Sequence, residues 1–124
     1  MKKELLYGVG IFVPVSDLKR STNWYKEMLG FEIVHDDEPL ANTLKICNGI
    51  VMICLVKSED IVQPEFPKND YDVGVYFNFH TTDADQAHEF LSQKGAKVSE
   101  IHDYDGIRGF DLVDPDGNRF GVVT

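Results

Sequence analysis

The chain has 124 residues, 43% of them hydrophobic, and a formal net charge of −9. That is enough chain for one compact core and too little for two ordinary domains. The acidic balance argues against nucleic acid or anionic membranes as partners and leaves room for cationic ligands.

The N-terminal "MKKELLYGVG" has two lysines but no long apolar run. Nowhere does the chain approach the roughly 20 apolar residues of a membrane helix, so a cytoplasmic protein is expected. From 9 to 15, "VGIFVPV" alternates: Val9, Ile11, Val13 and Val15 share one face, and Gly10, Phe12 and Pro14 the other. This pattern predicts a strand. Ser16 or Asp17 then caps a helix with an inward stripe of Leu18, Ser21, Tyr25, Met28 and Leu29, and Gly30 ends it. Trp24, beside the stripe, is expected in packing or at an interface. Strands are predicted near 31–36, 42–48 and 50–56, with Asn48-Gly49 as the hairpin signal between the last two. Cys47 and Cys54 fall in one apolar run and read as core thiols, not as a disulfide or a zinc site.

The polar segment 57–72, with Pro64 and Pro67, interrupts the alternation and reads as a linker. The pattern then restarts, with a strand at 75–81, a capped helix at 82–95 ended by Gly95, and strands near 97–102, 107–113 and 118–123. Asp114-Pro115-Asp116-Gly117 places each residue type where a type I turn wants it, predicting a hairpin between the last two strands. Placing Asp17 on Asp83 also places Val15 on Thr81 and brings Gly30 within one residue of Gly95.

The expected architecture is therefore α+β. Two βαβββ units, about 1–56 and 73–124, form a curved mixed sheet around a cleft, with helices outside and the linker 57–72 between them. Strand parity turns Val75, Phe77, Phe79 and Thr81 toward the second helix and leaves Tyr76, Asn78 and His80 facing the cleft. In the first unit Phe12 and Pro14, with Met52 and Cys54 across the sheet, make an apolar wall. His80 can serve either as a cleft-lining group or as a general base near neutral pH. His35, His88 and His102 are expected at the surface. Arg108 and Arg119 flank the final hairpin, either to clamp an anion or to decorate a strand edge.

The stretches "VPVSDLKRSTNWYKEMLGFEIV" (13–34), "TTDADQAHEFLSQKGAKV" (81–98) and "FDLVDPDGNRFGVV" (110–123) strongly resemble the glyoxalase, bleomycin-resistance and extradiol-dioxygenase superfamily, the vicinal oxygen chelate proteins. The resemblance implies one glyoxalase-like domain over 1–124, a cleft assembled in a homodimer and, in metal-dependent members, a divalent ion held by His or Glu from the first and last strand of each unit. Carried onto this chain, those positions are Gly10, Cys54 (Ile53 with a one-residue slip), Tyr76 and Gly121. Two glycines, a thiol and a phenol make a poor donor set, so no metal or other cofactor is expected. The function expected is metal-free binding of a small, aromatic or cationic compound, with Phe12, Met52, Cys54, Tyr76, Asn78 and His80 as lining residues. The alternative is a glyoxalase-, isomerase- or dioxygenase-like enzyme acting on a small oxygenated substrate, with His80 and Tyr76 moving protons or a metal held by other ligands.

Overall fold

The protein is seen in a computed structural model that describes residues 5–47, 49–104 and 106–124. Its backbone contacts divide it into two units, Met1–Ile61 and Val62–Thr124. The architecture is α+β, each unit joining one α-helix to a sheet of parallel and antiparallel strands.

In the first unit, strand β1 (Val9–Val15) leads into helix α1 (Leu18–Leu29) and then strands β2 (Glu32–Asp37), β3 (Ala41–Ile46) and β4 (Val51–Lys57). The sheet order is β1-β4-β3-β2, with β1 parallel to β4. The crossover through α1 is what allows that parallel pair. The Asp17 carboxylate accepts from the Arg20 N–H at 3.1 Å, starting the helix. Gly30 ends it in the left-handed region at φ 73°, where its N–H donates to the Lys26 carbonyl at 3.0 Å. Alternation in β1 survives folding, for Val13 and Val15 are buried while Phe12 and Pro14 are exposed.

The core beneath α1 is built on Tyr25, Leu44, Ile53 and Leu55, all without exposed surface. Burying such a side chain contributes roughly 1.5–3 kcal/mol. The helical stripe departs from expectation at its C-terminal end, where Met28 and Leu29 are half-buried, and Thr22 is buried as well. Thr22 is drawn in by Asn42 of β3, whose amide donates to its hydroxyl at 3.0 Å. Cys47 is exposed, correcting the expectation of a core thiol. It sits past the end of β3 at φ 52°, in the turn, where its side chain leaves the sheet. Of the hairpin signal Asn48-Gly49, Asn48 lies outside the described residues. Gly49 stands at φ 85° and donates to the Ile46 carbonyl at 3.0 Å.

In the second unit a segment without regular structure, 62–77, precedes strand β5 (Asn78–His80) and helix α2 (Ala84–Gln93). Strands β6 (Lys97–Val98), β7 (His102–Tyr104), β8 (Ile107–Val113) and β9 (Arg119–Val123) complete it. The order is β5-β9-β8-β6, with β7 also paired to β8 and β5 parallel to β9. Leu91, Phe110, Leu112, Phe120 and Val122 form the buried core.

Two predicted strands are shorter than the alternation implies. The strand expected over 75–81 is confined to β5, although Gly121 N–H bonds to the Phe77 carbonyl and Thr81 N–H to the Val123 carbonyl, each at 2.8 Å, extend its pairing. The strand expected over 97–102 splits into β6 and β7. There the Ser99 hydroxyl accepts from the Asp111 N–H at 2.8 Å, so a side chain takes a place in the ladder. The terminal turn is as expected. Gly117 N–H donates to the Asp114 carbonyl at 3.1 Å, and the buried Asp114 carboxylate accepts from the N–H groups of Asp116 and Asn118.

The Asn42 carbonyl oxygen is buried with no partner among the described residues. Thr22→Val alone leaves the whole Asn42 amide unpaired and should cost roughly 1–3 kcal/mol. Adding Asn42→Leu removes the stranded group, so the double variant should unfold at higher urea than the single one.

Candidate functional site

In each unit one sheet face packs on the helix and, among the described residues, no helix or strand of that unit covers the other. The pairing register settles which residues share the uncovered faces, because partners across strands point the same way. In the first unit Phe12 pairs with Cys54, Cys54 with Thr43, and Thr43 with His35. These four residues form one row. Gly10, Met52, Lys45 and Glu32 form the row on one side of it, with Lys45 and Glu32 bridged at 3.6 Å. Phe12 is 77% exposed, the largest apolar group on this face.

His35 was not expected here. A one-residue irregularity between Ile33 and His35 on β2 shifts the register, placing His35 opposite Thr43, whereas unbroken alternation would have set it opposite Asn42 on the helix-facing side. Beside Gly10 opens a hollow of about 270 Å³, bounded by Leu6, Tyr7, Ile50 and Met52 among others.

The second unit presents a polar face. Asn78 pairs with Gly121 and Gly121 with Asp111; in the next row His80 pairs with Val123, Val123 with Gly109, and Gly109 with His102. His80 and His102 are both exposed and lie in one row, spaced by Val123 and a residue with no side chain. Tyr76 stands apart from Asn78 and His80, because it precedes the strand. Its ring stacks under Phe66 with centroids 4.0 Å apart, and its hydroxyl donates to the Pro67 carbonyl at 3.3 Å. Phe77, expected against the helix, is 43% exposed and meets Phe66 edge-on. Phe77 lies ahead of β5, and its carbonyl already accepts from the Gly121 N–H.

A family model described as the glyoxalase/bleomycin resistance protein/dioxygenase superfamily matches residues 9–122. The chain belongs to that superfamily. Solved structures with the same fold include a member of this superfamily from Sphaerobacter thermophilus, at 25% identity and a TM-score of 0.75 over 94% of this chain and 95% of that one. TnmS3, an antibiotic-binding protein from a Streptomyces species, superposes with a TM-score of 0.74 at 21% identity over 98% and 96% of the two chains. A lactoylglutathione lyase from Agrobacterium tumefaciens gives 0.71 at 19% identity over 93% and 90%. No curated protein matches the chain.

The metal positions implied by the superfamily can be tested against the residues present. At Gly10 a Cβ would meet nothing within 4 Å, so the position is open but supplies no donor. At Gly121 a Cβ would overlap the Asn78 amide oxygen, which already fills the space a ligand side chain would need. Cys54 is half-buried and faces away from the helix, whereas Ile53 is fully buried toward it. Among the described residues no three His, Cys, Asp or Glu side chains gather into one group. This donor set does not fit a divalent ion, which needs several anionic or imidazole donors at about 2 Å.

Other side chains singled out in the sequence have structural employment. His88 is half-buried, not a free surface residue: its Nε2 lies 2.9 Å from the Ser99 carbonyl and its ring meets Phe110 edge-on at 5.0 Å. Trp24 packs edge-on against Tyr25 at 4.8 Å. Arg119 is exposed on β9. Arg108 forks onto Asp85 of α2, with Nη2 and Nε at 2.8 and 3.0 Å from the two carboxylate oxygens, and reaches Asp103 at 3.6 Å. The Arg108 hydrogen bond holds the Asp85 carboxyl below its ordinary value, and Asp85 in turn pushes the Arg108 guanidinium up.

Two expected outcomes follow from these contacts. Gly121→Ala displaces only the end of a flexible Asn78 side chain and should leave stability within about 1 kcal/mol, whereas Gly109→Ala drives a methyl into the Val122 carbonyl and within 2.7 Å of Val123 Cγ1, costing roughly 1–3 kcal/mol in a denaturant titration. Because the folded state lowers the Asp85 pKa, the pair stabilises at pH values above the unfolded carboxylate pKa of about 3.9 and the gain disappears as pH falls through the folded value. The melting-temperature gap between the natural chain and Asp85→Ala should therefore be open at pH 7 and close as pH drops below about 4.

Proposed function

We propose that this chain is a small-molecule-binding protein that works without a metal, sequestering an aromatic or cationic compound as a cytoplasmic homodimer. One observation carries the reading. Of the four positions at which a metal ligand is implied, two hold glycine, and at Gly121 the Asn78 amide stands where a donor side chain would be. What remains on the two uncovered faces suits recognition by shape and polarity: Phe12, Met52 and Cys54 on one, Asn78 and His80 on the other, with Tyr76 at the start of the second. The same fold carries an antibiotic-binding protein, TnmS3. Among the described residues no helix is long and apolar enough to cross a membrane. The acidic balance favours cationic guests by long-range attraction.

A thermal-shift screen of aromatic and cationic compounds, run with and without EDTA, tests the reading, since a ligand of the folded state raises its stability by mass action. The best ligand should give the same shift with the chelator present. Asn78→Ala or His80→Ala should weaken its binding by roughly 1–3 kcal/mol. A shift that vanishes with EDTA and returns with Ni, Zn, Mn or Fe, or metal-dependent turnover of a screened compound, would overturn it in favour of an enzyme of the glyoxalase or dioxygenase kind.

A further inference from the structure

The segment 62–77 carries an aromatic ring, Phe66, that is half-buried and stands outside the fully buried core. Phe66 lies flat on Tyr76, with ring centroids 4.0 Å apart and planes inclined by 20°, and Phe77 closes the side of the seat edge-on at 6.1 Å and 70°. Together Tyr76 and Phe77 make a face and a wall for one planar ring. Neither is enclosed, for they remain 42% and 43% exposed with Phe66 in place.

The way Phe66 is held suits exchange. Before it, the Gln63 amide donates to the Asp116 carbonyl at 3.1 Å and to Asn118 Oδ1 at 3.2 Å. After it, the Asn69 side chain donates to the Val73 carbonyl at 2.8 Å and accepts from the Val73 N–H at 3.0 Å. Both ends are thus anchored within the unit. Between the anchors, Pro64 and Pro67 flank Phe66 and offer no N–H to pin the backbone. The stretch touches Tyr76, Phe77 and Asn69 through the ring stack, the edge contact, the Tyr76 hydroxyl on Pro67 and a 3.5 Å bond from the Asn69 amide to the Pro67 carbonyl.

The geometry points to Tyr76 and Phe77 as the subsite for a planar aromatic cation, with Phe66 occupying the ring's place until the ligand displaces it. The segment's charge favours a cation over an anion by long-range attraction, for within it Glu65, Asp70 and Asp72 outnumber Lys68. Phe66 is thereby a built-in competitor: it covers the platform and scales apparent affinity by the fraction of time the platform is open. This deepens the proposed binding function and rests on it.

The test is fluorescence titration with proflavine, a planar aromatic cation, and with the planar anion pyrene-1-sulfonate as control. Phe66→Ala should bind proflavine about three- to tenfold more tightly than the natural chain. Tyr76→Ala should bind about tenfold more weakly, and the double variant should show no gain over Tyr76→Ala. Phe66→Leu, which keeps apolar cover without a flat ring, should also bind more tightly, and circular dichroism verifies that each variant is folded. Pyrene-1-sulfonate should bind the natural chain more weakly than proflavine. Unchanged or weakened proflavine binding in Phe66→Ala, absence of binding in both proteins, or equal binding of the anion overturns the proposal. Those results leave the wider reading standing if a ligand from the thermal-shift screen still depends on Asn78 or His80. A screen without any ligand that survives chelation overturns both.

Discussion

Parallel pairing between the first and last strands of each unit is the constraint on which the rest of the molecule depends. β1 lies on β4 with Phe12 opposite Cys54, and β5 lies on β9 with Asn78 opposite Gly121. Side chains in a strand alternate with a period of two, so a slip by one residue would exchange the buried set for the uncovered one. Val13, Val15, Ile53 and Leu55 are buried under α1 by the same register that leaves Gly10, Phe12, Met52 and Cys54 uncovered. Core and candidate site are two consequences of one pairing.

The two units use that register for different chemistry. On the helix side both present apolar residues of similar kind, since close packing admits few alternatives. Their uncovered faces share little. One offers an exposed phenylalanine, a thioether, a thiol and the His35 imidazole, with the Lys45–Glu32 pair to the side; the other offers an amide, a carboxylate and two imidazoles around Gly109, Gly121 and Val123. The equivalent pairs Phe12–Cys54 and Asn78–Gly121 condense the contrast. At the second, the glycine is what gives the Asn78 amide room.

Much of the polar side-chain chemistry of the second unit serves its own cohesion. Asp114 and Asn118 close the terminal turn, Ser99 replaces a backbone group in the ladder, His88 meets the carbonyl of Ser99, and Arg108 ties α2 to β8 and β7. Asn78, His80, Asp111 and His102 stand on the uncovered side of the sheet, with Tyr76 beneath Phe66 at its edge.

What the sequence determined by itself is what a few neighbouring residues decide among themselves: the caps at Asp17 and Asp83, the left-handed glycines after α1 and in the turn at Gly117, the bounds of β1, α1 and β8, and the faces of β1 and β4. Each follows from local hydrogen bonding or from a period that runs unbroken. Tertiary structure decided whatever depends on residues far apart in the chain or on a break in the period. The irregularity before His35 moves that side chain to the uncovered face, Ser99 cuts one predicted strand in two, and Phe66 stacks on Tyr76 and meets Phe77 edge-on ahead of β5. No periodic signal reports such events, because a register shift or a ring stack is chosen by the energy of contacts that exist only once the distant partners have met.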